Sequence, residues 1–292
     1  MLSRTGNSVS KMVLIHTILK RAVFLLMLWV TWGAAQNTSG WELRVCADPN
    51  NLPYSDRQEA GFENKIAEIL ADELGADLSY VWYPQRNLQV REVFREGDCD
   101  LIMGTGDGNP LMLTTLPYYQ STYVFVYRED AGFEIDSLDD ADLQTLKIGV
   151  QVPGGESASV PPAQALANRG LSQNFVGYSI FGDYSRPEPL RPIVDAVVAG
   201  EVDVAVVWGP VAGYFAKSAP EPLKLVPVTP QIEPPFLPMV FSISAGVRQG
   251  DEDFADLLDR AFVARWDEVQ AVLESYGVPV LPVPKPTLGG GG

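Results

Sequence analysis

Two short passages of this 292-residue chain recur at one spacing, and that spacing narrows the folds open to it. Leu43-Arg44-Val45 has a counterpart in Leu146-Lys147-Ile148, and 146 − 43 is 103. Gly97-Asp98-Cys99-Asp100-Leu101 has a counterpart in Gly200-Glu201-Val202-Asp203-Val204, and 200 − 97 is again 103. Each copy sets a helix, a glycine, an acid, a spacer and an aspartate before an apolar strand. Two landmarks at one offset predict two similar α/β lobes. Glycine-to-strand junctions are common, so coincidence is the competing explanation.

The pattern around these landmarks fills in the lobes. Residues 43–47 read as a short buried strand, and Phe62, Ile66, Ile69, Leu70 and Leu74 share one helical face closed by Gly75. A second strand spans 78–83, a short helical stripe runs through Val90, Val93 and Phe94 to Gly97, and a third strand spans 100–103. Residues 122–127 (TYVFVY) form a β-rich run leading out of the first lobe. Residues 237–247 lead back, after a proline-rich stretch at 227–238. A helical region at 251–276 carries Phe254, Leu257, Leu258, Phe262, Trp266, Val269 and Leu273 on its buried side, ended by Gly277 and Pro279. The expected division is a leader at 1–35, lobe one at 41–124, lobe two at 125–235, a second part of lobe one at 236–281, and a disordered tail at 282–292.

The leader has the order of a secretory signal: Lys11, Lys20 and Arg21, then an apolar run from 22 to 30, then small residues Gly33, Ala34 and Ala35. The run is shorter than the roughly 18 residues of a membrane span. Retention as an anchor is the alternative, and no other span is expected. Removing residues 1–35 takes four of the 21 basic residues (Arg4, Lys11, Lys20, Arg21) and no acid, so the mature charge is 17 − 37, or −20. Such a surface repels nucleic acid and attracts basic partners or cations, or it serves solubility alone.

The one histidine, His16, lies in the leader. A mature chain without histidine has no Ser-His or Cys-His dyad and no histidine-based metal site. Cys46 and Cys99 are too few for a metal cluster. After export they would form a disulfide, closing a loop whose constraint stabilises by roughly 4 kcal/mol; two buried free thiols are the alternative. No cofactor or dedicated metal site is expected. Asp139-Asp140 and Asp251-Glu252-Asp253 read as acids at helix starts.

A two-lobed, exported, acidic chain with paired crossing strands resembles the hinged periplasmic solute-binding proteins. That resemblance implies an α/β, type II periplasmic binding protein fold, with two parallel or mixed sheets flanked by helices and joined by two crossover strands. Ligands then sit between the carboxyl ends of the strands. Lobe one would offer Asp48, Asn50, Pro53, Tyr54, Thr105, Asp107, Tyr118, Tyr119 and Ser121 to the cleft, and lobe two Gln151, Gly154, Gly155, Ser157 and Trp208. Tyr118, Tyr119 and Trp208 are equally readable as packing residues, and Gly154-Gly155 as an ordinary loop. Amino-acid binders of this fold carry an arginine after a Thr-rich turn in lobe one and an aspartate after the last strand of lobe two. Residues 105–115 (TGDGNPLMLTT) hold no arginine, and Trp208-Gly209-Pro210 stands where the aspartate belongs. An ordinary amino-acid receptor is therefore not expected.

CADPNNLPYS, GFENKIAEIL, YVWYPQR, GDCDLIMG, TTLPYYQSTYVFVYR and DVAVVWGPVAGYF, spread over residues 41–280, resemble a narrower family. They are similar to the MxaJ/XoxJ group, solute-binding-like accessory proteins of bacterial methanol oxidation. The resemblance implies a non-enzymatic, chaperone-like periplasmic role beside a quinoprotein (PQQ) methanol dehydrogenase of the calcium or lanthanide type, or beside its cytochrome c. A transport receptor for a small solute is the second class considered. A dehydratase-like enzyme using Asp48, Asp107 or Glu156 as a proton donor is the third.

Overall fold

The structure, a computed structural model, describes residues 40–84, 94, 96–153, 160–181 and 184–287. The leader at 1–35, Val90, Val93, Gly154, Gly155, Glu156, Ser157 and the last five residues lie outside the described residues. Every element below belongs to one compact unit, Trp41–Gly292.

The strands, in chain order, are β1 (Glu42–Ala47), β2 (Asn50–Asn51), β3 (Ser55–Asp56), β4 (Asp77–Trp82), β5 (Leu101–Gly106), β6 (Leu113–Thr114) and β7 (Tyr119–Arg128). They continue with β8 (Ile148–Val152), β9 (Phe175–Ser179), β10 (Val204–Trp208), β11 (Leu223–Pro227), β12 (Ile232–Glu233), β13 (Leu237–Pro238) and β14 (Val240–Val247). Strands β4, β1 and β5 are parallel neighbours, and β14 pairs antiparallel with β5 and then with β7. The second lobe repeats this order: β9, β8 and β10 are parallel, and β7 pairs antiparallel with β10 and then with β11.

The two ladders share β7. Its residues 119–122 face β14, and its residues 123–128 face β10 and β11. Hydrogen bonding therefore runs as one path through both lobes, with β7 acting as a crossover strand that joins the two expected sheets. Ten extended residues cover about 33 Å, enough for one strand to leave one ladder and enter the next.

The 103-residue repeat has a hydrogen-bonded basis. The backbone N–H of Arg44 donates to Asp100 Oδ2 at 3.2 Å, and that of Lys147 to Asp203 Oδ2 at 2.7 Å. In return the N–H of Asp100 donates to the Arg44 carbonyl at 2.8 Å, and that of Asp203 to the Lys147 carbonyl at 3.0 Å. Each aspartate thus pins the start of the strand beside its own. Gly97 and Gly200 precede them at φ 87° and 69°, a left-handed turn that favours glycine.

The copies differ in what surrounds the acid. Asp100 also accepts Arg44 Nε at 3.0 Å and Nη2 at 2.7 Å, with Arg248 Nη2 at 3.3 Å. Burial works against its ionised form, but the Arg44 hydrogen bonds outweigh that and hold the carboxyl below its ordinary range. Asp203 is exposed. Beside Asp100, the structure pairs Cys46 with Cys99, Cα atoms 5.5 Å apart, in a disulfide that ties β1 to the start of β5.

Helix Phe62–Leu74 buries Phe62, Ile66 and Leu70 against β1 and β5, and the C-terminal region joins the same core through Leu258, Phe262, Trp266, Val269 and Leu273. Phe254 and Leu257 are only partly buried. That region is two helices, Glu252–Ala264 and Trp266–Ser275, broken at Arg265 (φ −103°, ψ 21°). From Phe254 to Leu273 an unbroken helix would carry its apolar stripe about 100° around the axis. The break turns Trp266, Val269 and Leu273 back onto the core. The chain then runs between the lobes, where a Cβ on Gly213 of helix Gly209–Ala216 would lie 1.8 Å from the Gly277 carbonyl oxygen. Ser121 Oγ donates to the Pro279 carbonyl at 2.7 Å, fastening this connector to β7.

The repeat makes a stability prediction. Asp100→Ala should cost about 2 kcal/mol by losing charge-assisted hydrogen bonds. Asp203→Ala should cost about 1 kcal/mol or less, because its partner site is solvated. Urea unfolding of the two variants side by side checks the order.

Candidate functional site

β1 ends at Ala47, and Asp48 follows it into the gap between the lobes. The loop that follows is tightly pinned. Ser55 Oγ donates to the Asp48 carbonyl at 2.9 Å and accepts the Asp48 N–H at 3.1 Å, and Asp48 Oδ1 accepts the Asn50 N–H at 2.9 Å. The carbonyls of Pro53 and Tyr54 accept the N–H groups of Phe62 and Glu63, at 2.8 and 2.9 Å. Those are free donors at the start of the helix, so the proline- and asparagine-rich loop serves as the cap of helix Phe62–Leu74.

The cavity above this loop has a volume of about 380 Å³. Lobe one lines it with Asp48, Tyr54, Glu63, Gly104 and Tyr119, and lobe two with Gln151, Tyr184 and Trp208. Tyr123 and Phe241, from the two crossing strands, complete its aromatic wall. Trp208 meets Tyr123 edge-on at 5.2 Å and Phe241 at 5.8 Å between ring centroids. Gln151 Oε1 accepts the Trp208 N–H at 2.8 Å and fixes the backbone that presents this ring. Across the gap, the Tyr184 hydroxyl donates to Asp48 Oδ2, and Asn50 Nδ2 donates to the Arg186 carbonyl at 2.8 Å.

Glu63 is the unusual member. It is 7% exposed, and no hydrogen bond reaches its carboxyl among the described residues. Burial pushes its pKa up to about 8, with the nearby Asp48 charge adding to the effect. The space it occupies exists because residue 104 is glycine: φ there is 68°, and a Cβ would stand 2.1 Å from Glu63 Oε1. Tyr54, Tyr118 and Tyr119 around it are raised by burial, so they remain neutral phenols. No group of three or more His, Cys, Asp or Glu among the described residues is placed to hold a metal.

Of the residues expected at the cleft, Asp48, Tyr54, Tyr119, Gln151 and Trp208 line the cavity, and Asn50 sits at its closing edge. The others serve elsewhere. Pro53 caps the helix, and Ser121 is fully buried against Pro279. Tyr118 is core, stacked on Phe262 at 4.9 Å, with its hydroxyl accepting the Gly104 N–H at 3.2 Å. Thr105 is buried and accepts Asn109 Nδ2 at 3.0 Å, while exposed Asp107 accepts the Thr114 hydroxyl at 3.3 Å. Gly154, Gly155 and Ser157 lie outside the described residues. The sequence reading passed over Glu63, Tyr123, Phe241 and Tyr184. Glu63 had a signal: it falls on the helical face of Ile66, Ala67 and Leu70, all buried.

No protein-family model matches the chain. A curated protein from Paracoccus denitrificans, MoxJ, is 33% identical over 256 residues, 82% of this chain and 89% of that protein. Among solved structures, MxaJ from Methylophaga aminisulfidivorans MPT superposes with a TM-score of 0.72 at 30% identity, over 82% of this chain and 100% of the other. The periplasmic binding protein XoxJ from Methylobacterium extorquens AM1 gives 0.66 at 35% identity, again over 82% and 100%.

Because Glu63 holds its proton more tightly folded than unfolded, its stabilising contribution is complete below the ordinary carboxyl range and is lost as pH rises through about 8. Glu63→Gln has no proton to lose. Its melting temperature should gain on the unmodified protein by several degrees between pH 5 and pH 9, a shift calorimetry at the two pH values reads directly.

Proposed function

The chain belongs to the MoxJ family, whose solved relatives include MxaJ and XoxJ, and from that premise we propose a non-catalytic role beside a quinoprotein alcohol dehydrogenase. In this reading the mature protein works in the periplasm. It binds a PQQ-dependent methanol dehydrogenase and aids its assembly or activation. The family matches support the coarser part, a periplasmic-binding-protein-like chain associated with methanol oxidation. Among the described residues no helix is long and apolar enough to cross a membrane.

The observation that carries the finer part is a cleft without the fixed cation that an amino-acid receptor needs. No lysine or arginine lines the cavity among the described residues. Burying a ligand carboxylate there would cost several kcal/mol with nothing to offset it. The surface supports a protein partner. The β12–β13 hairpin leaves Phe236 89% exposed and Ile232 62% exposed, an apolar knob of the kind that anchors interfaces. A net charge of 17 − 37, or −20, without the leader would speed encounter with a basic face.

The interlobe cavity favours a second reading, a receptor that delivers a small solute to a membrane permease. A thermal-shift screen separates the two, since a solute bound tightly by the folded state raises the melting temperature by mass action.

The direct test mixes the purified protein with its cognate quinoprotein dehydrogenase and measures association, metal loading and turnover. A complex that weakens as salt rises is expected, and Phe236→Ser should weaken it by roughly tenfold, the value of one apolar anchor. No association, with metal loading and turnover unchanged, would overturn the reading.

A further inference from the structure

We propose that the interlobe cavity is a receptor site for a small organic monocation of the alkylammonium class, gripped by Glu63 inside a cage of Tyr54, Tyr119, Tyr123, Trp208 and Phe241. The proposal stands apart from the dehydrogenase reading and survives or fails independently of it.

Three acids are buried among the described residues: Asp48, Asp56 and Glu63. Asp56 Oδ1 accepts the Ala60 N–H at 2.8 Å, and Asp48 accepts the Asn50 N–H and the Tyr184 hydroxyl. Among the described residues only the Glu63 carboxyl of the three lacks a hydrogen bond, and it faces a cavity. Among the described residues the fully enclosed side-chain atoms without a partner are Asn64 Nδ2 and Ser244 Oγ; the Glu63 oxygens instead open onto the cavity, presented to whatever enters with no protein donor holding them. The room for this carboxyl is also built in, through the glycine at position 104.

The surroundings select the sign, valence and softness of what completes the site. Aromatic faces carry negative potential and stabilise a cation by about 0.5–2 kcal/mol each when desolvated. No basic side chain lines the cavity among the described residues. A zwitterion would therefore bring a carboxylate with no partner. Calcium or a lanthanide would need six or more oxygens, and no cluster of three acids is available among the described residues. Asp48 is already held by the Asn50 N–H and the Tyr184 hydroxyl, so Glu63 is the carboxylate left to pair with an entering cation, one ion pair for one monocation. A volume of about 380 Å³ is at the small end for ligand sites.

Binding would exchange the Glu63 proton for the cation. The groups facing this carboxyl are Asp48 and the phenols of Tyr54, Tyr80, Tyr118 and Tyr119. The phenols stay neutral through the neutral range. Affinity should thus rise about tenfold per pH unit up to about 8, where Glu63 ionises, and level off above it.

Calorimetric titration of the purified protein with tetramethylammonium and ethylammonium tests this, with tert-butanol, L-alanine and calcium chloride as comparisons. Expected are alkylammonium binding with proton release visible as a buffer-dependent heat, tert-butanol weaker by roughly tenfold or more, and the rise with pH given above. Glu63→Gln should lose roughly tenfold or more at pH 8 while melting normally; Trp208→Leu, which leaves the carboxyl in place, should lose several-fold. No alkylammonium binding at millimolar concentration overturns the proposal. So does equal binding by tert-butanol or by Glu63→Gln, or tighter binding of L-alanine or calcium. Proton release in the unmodified protein decides the matter even where a variant fails to fold.

Discussion

The arrangement depends on one strand changing partners. Between Thr122 and Tyr123, β7 stops pairing with β14 and begins pairing with β10 and β11. The return strand is held at the same place: the Met239 carbonyl accepts both the Tyr123 N–H, at 3.1 Å, and the Thr122 hydroxyl, at 3.1 Å. Each lobe keeps its three parallel strands on the far side of this junction, so their carboxyl ends meet across the gap. A chain with two independent sheets would need separate contacts to aim those ends at each other. Here the shared strand sets their direction, and the side chains at the junction, Tyr119, Tyr123 and Phe241, become the wall of the cavity.

Within that wall two carboxyls of similar chemistry are treated differently. Asp48 sits at a strand end, where a backbone N–H and a tyrosine hydroxyl reach it. Glu63 sits one residue into a helix whose free N–H groups are already taken by the Pro53 and Tyr54 carbonyls. The loop that caps the helix thus deprives Glu63 of the donors a first-turn acid ordinarily finds. Its ionised form is disfavoured by burial and by Asp48. Pairs of acids whose environments diverge in this way are a mark of functional sites.

The parts legible in the sequence were those written as period or as repeat. The 103-residue offset reflected reciprocal hydrogen bonds at Arg44–Asp100 and Lys147–Asp203, which constrain residue type and spacing together. The face of helix Phe62–Leu74 was equally plain. Less was legible where adjacent residues are alike. Tyr118 and Tyr119 read the same in sequence, yet one stacks on Phe262 in the core and the other lines the cavity, because neighbours in extended chain point opposite ways. The apolar run at 123–127 hid Tyr123 for the same reason, having no polar alternation to mark its faces. Glu63 was missed because an acid in the first turn of a helix is ordinarily just a favourable end charge. The helix break at Arg265 lay beyond periodicity, which records a stripe but not its slow drift.

The acidity of the surface and that of the cavity act at different ranges. At physiological ionic strength exposed charges are screened within about 8 Å, so the chain's net charge of −16 governs encounter and solubility but says little about what a buried pocket holds. Glu63, desolvated behind Tyr54, Tyr119 and Trp208, is screened far less and acts only on what enters. A protein of this charge could therefore approach a basic partner through its exterior while its interior selects for a different cation. The two need not compete, because the exposed hairpin at Phe236 and the carboxyl at Glu63 are served by different side chains of one frame. On the proposed reading that separation lets the frame keep the shape of a solute receptor while its cleft takes a cation: no lysine or arginine lines the cavity among the described residues, and the Glu63 carboxyl faces it.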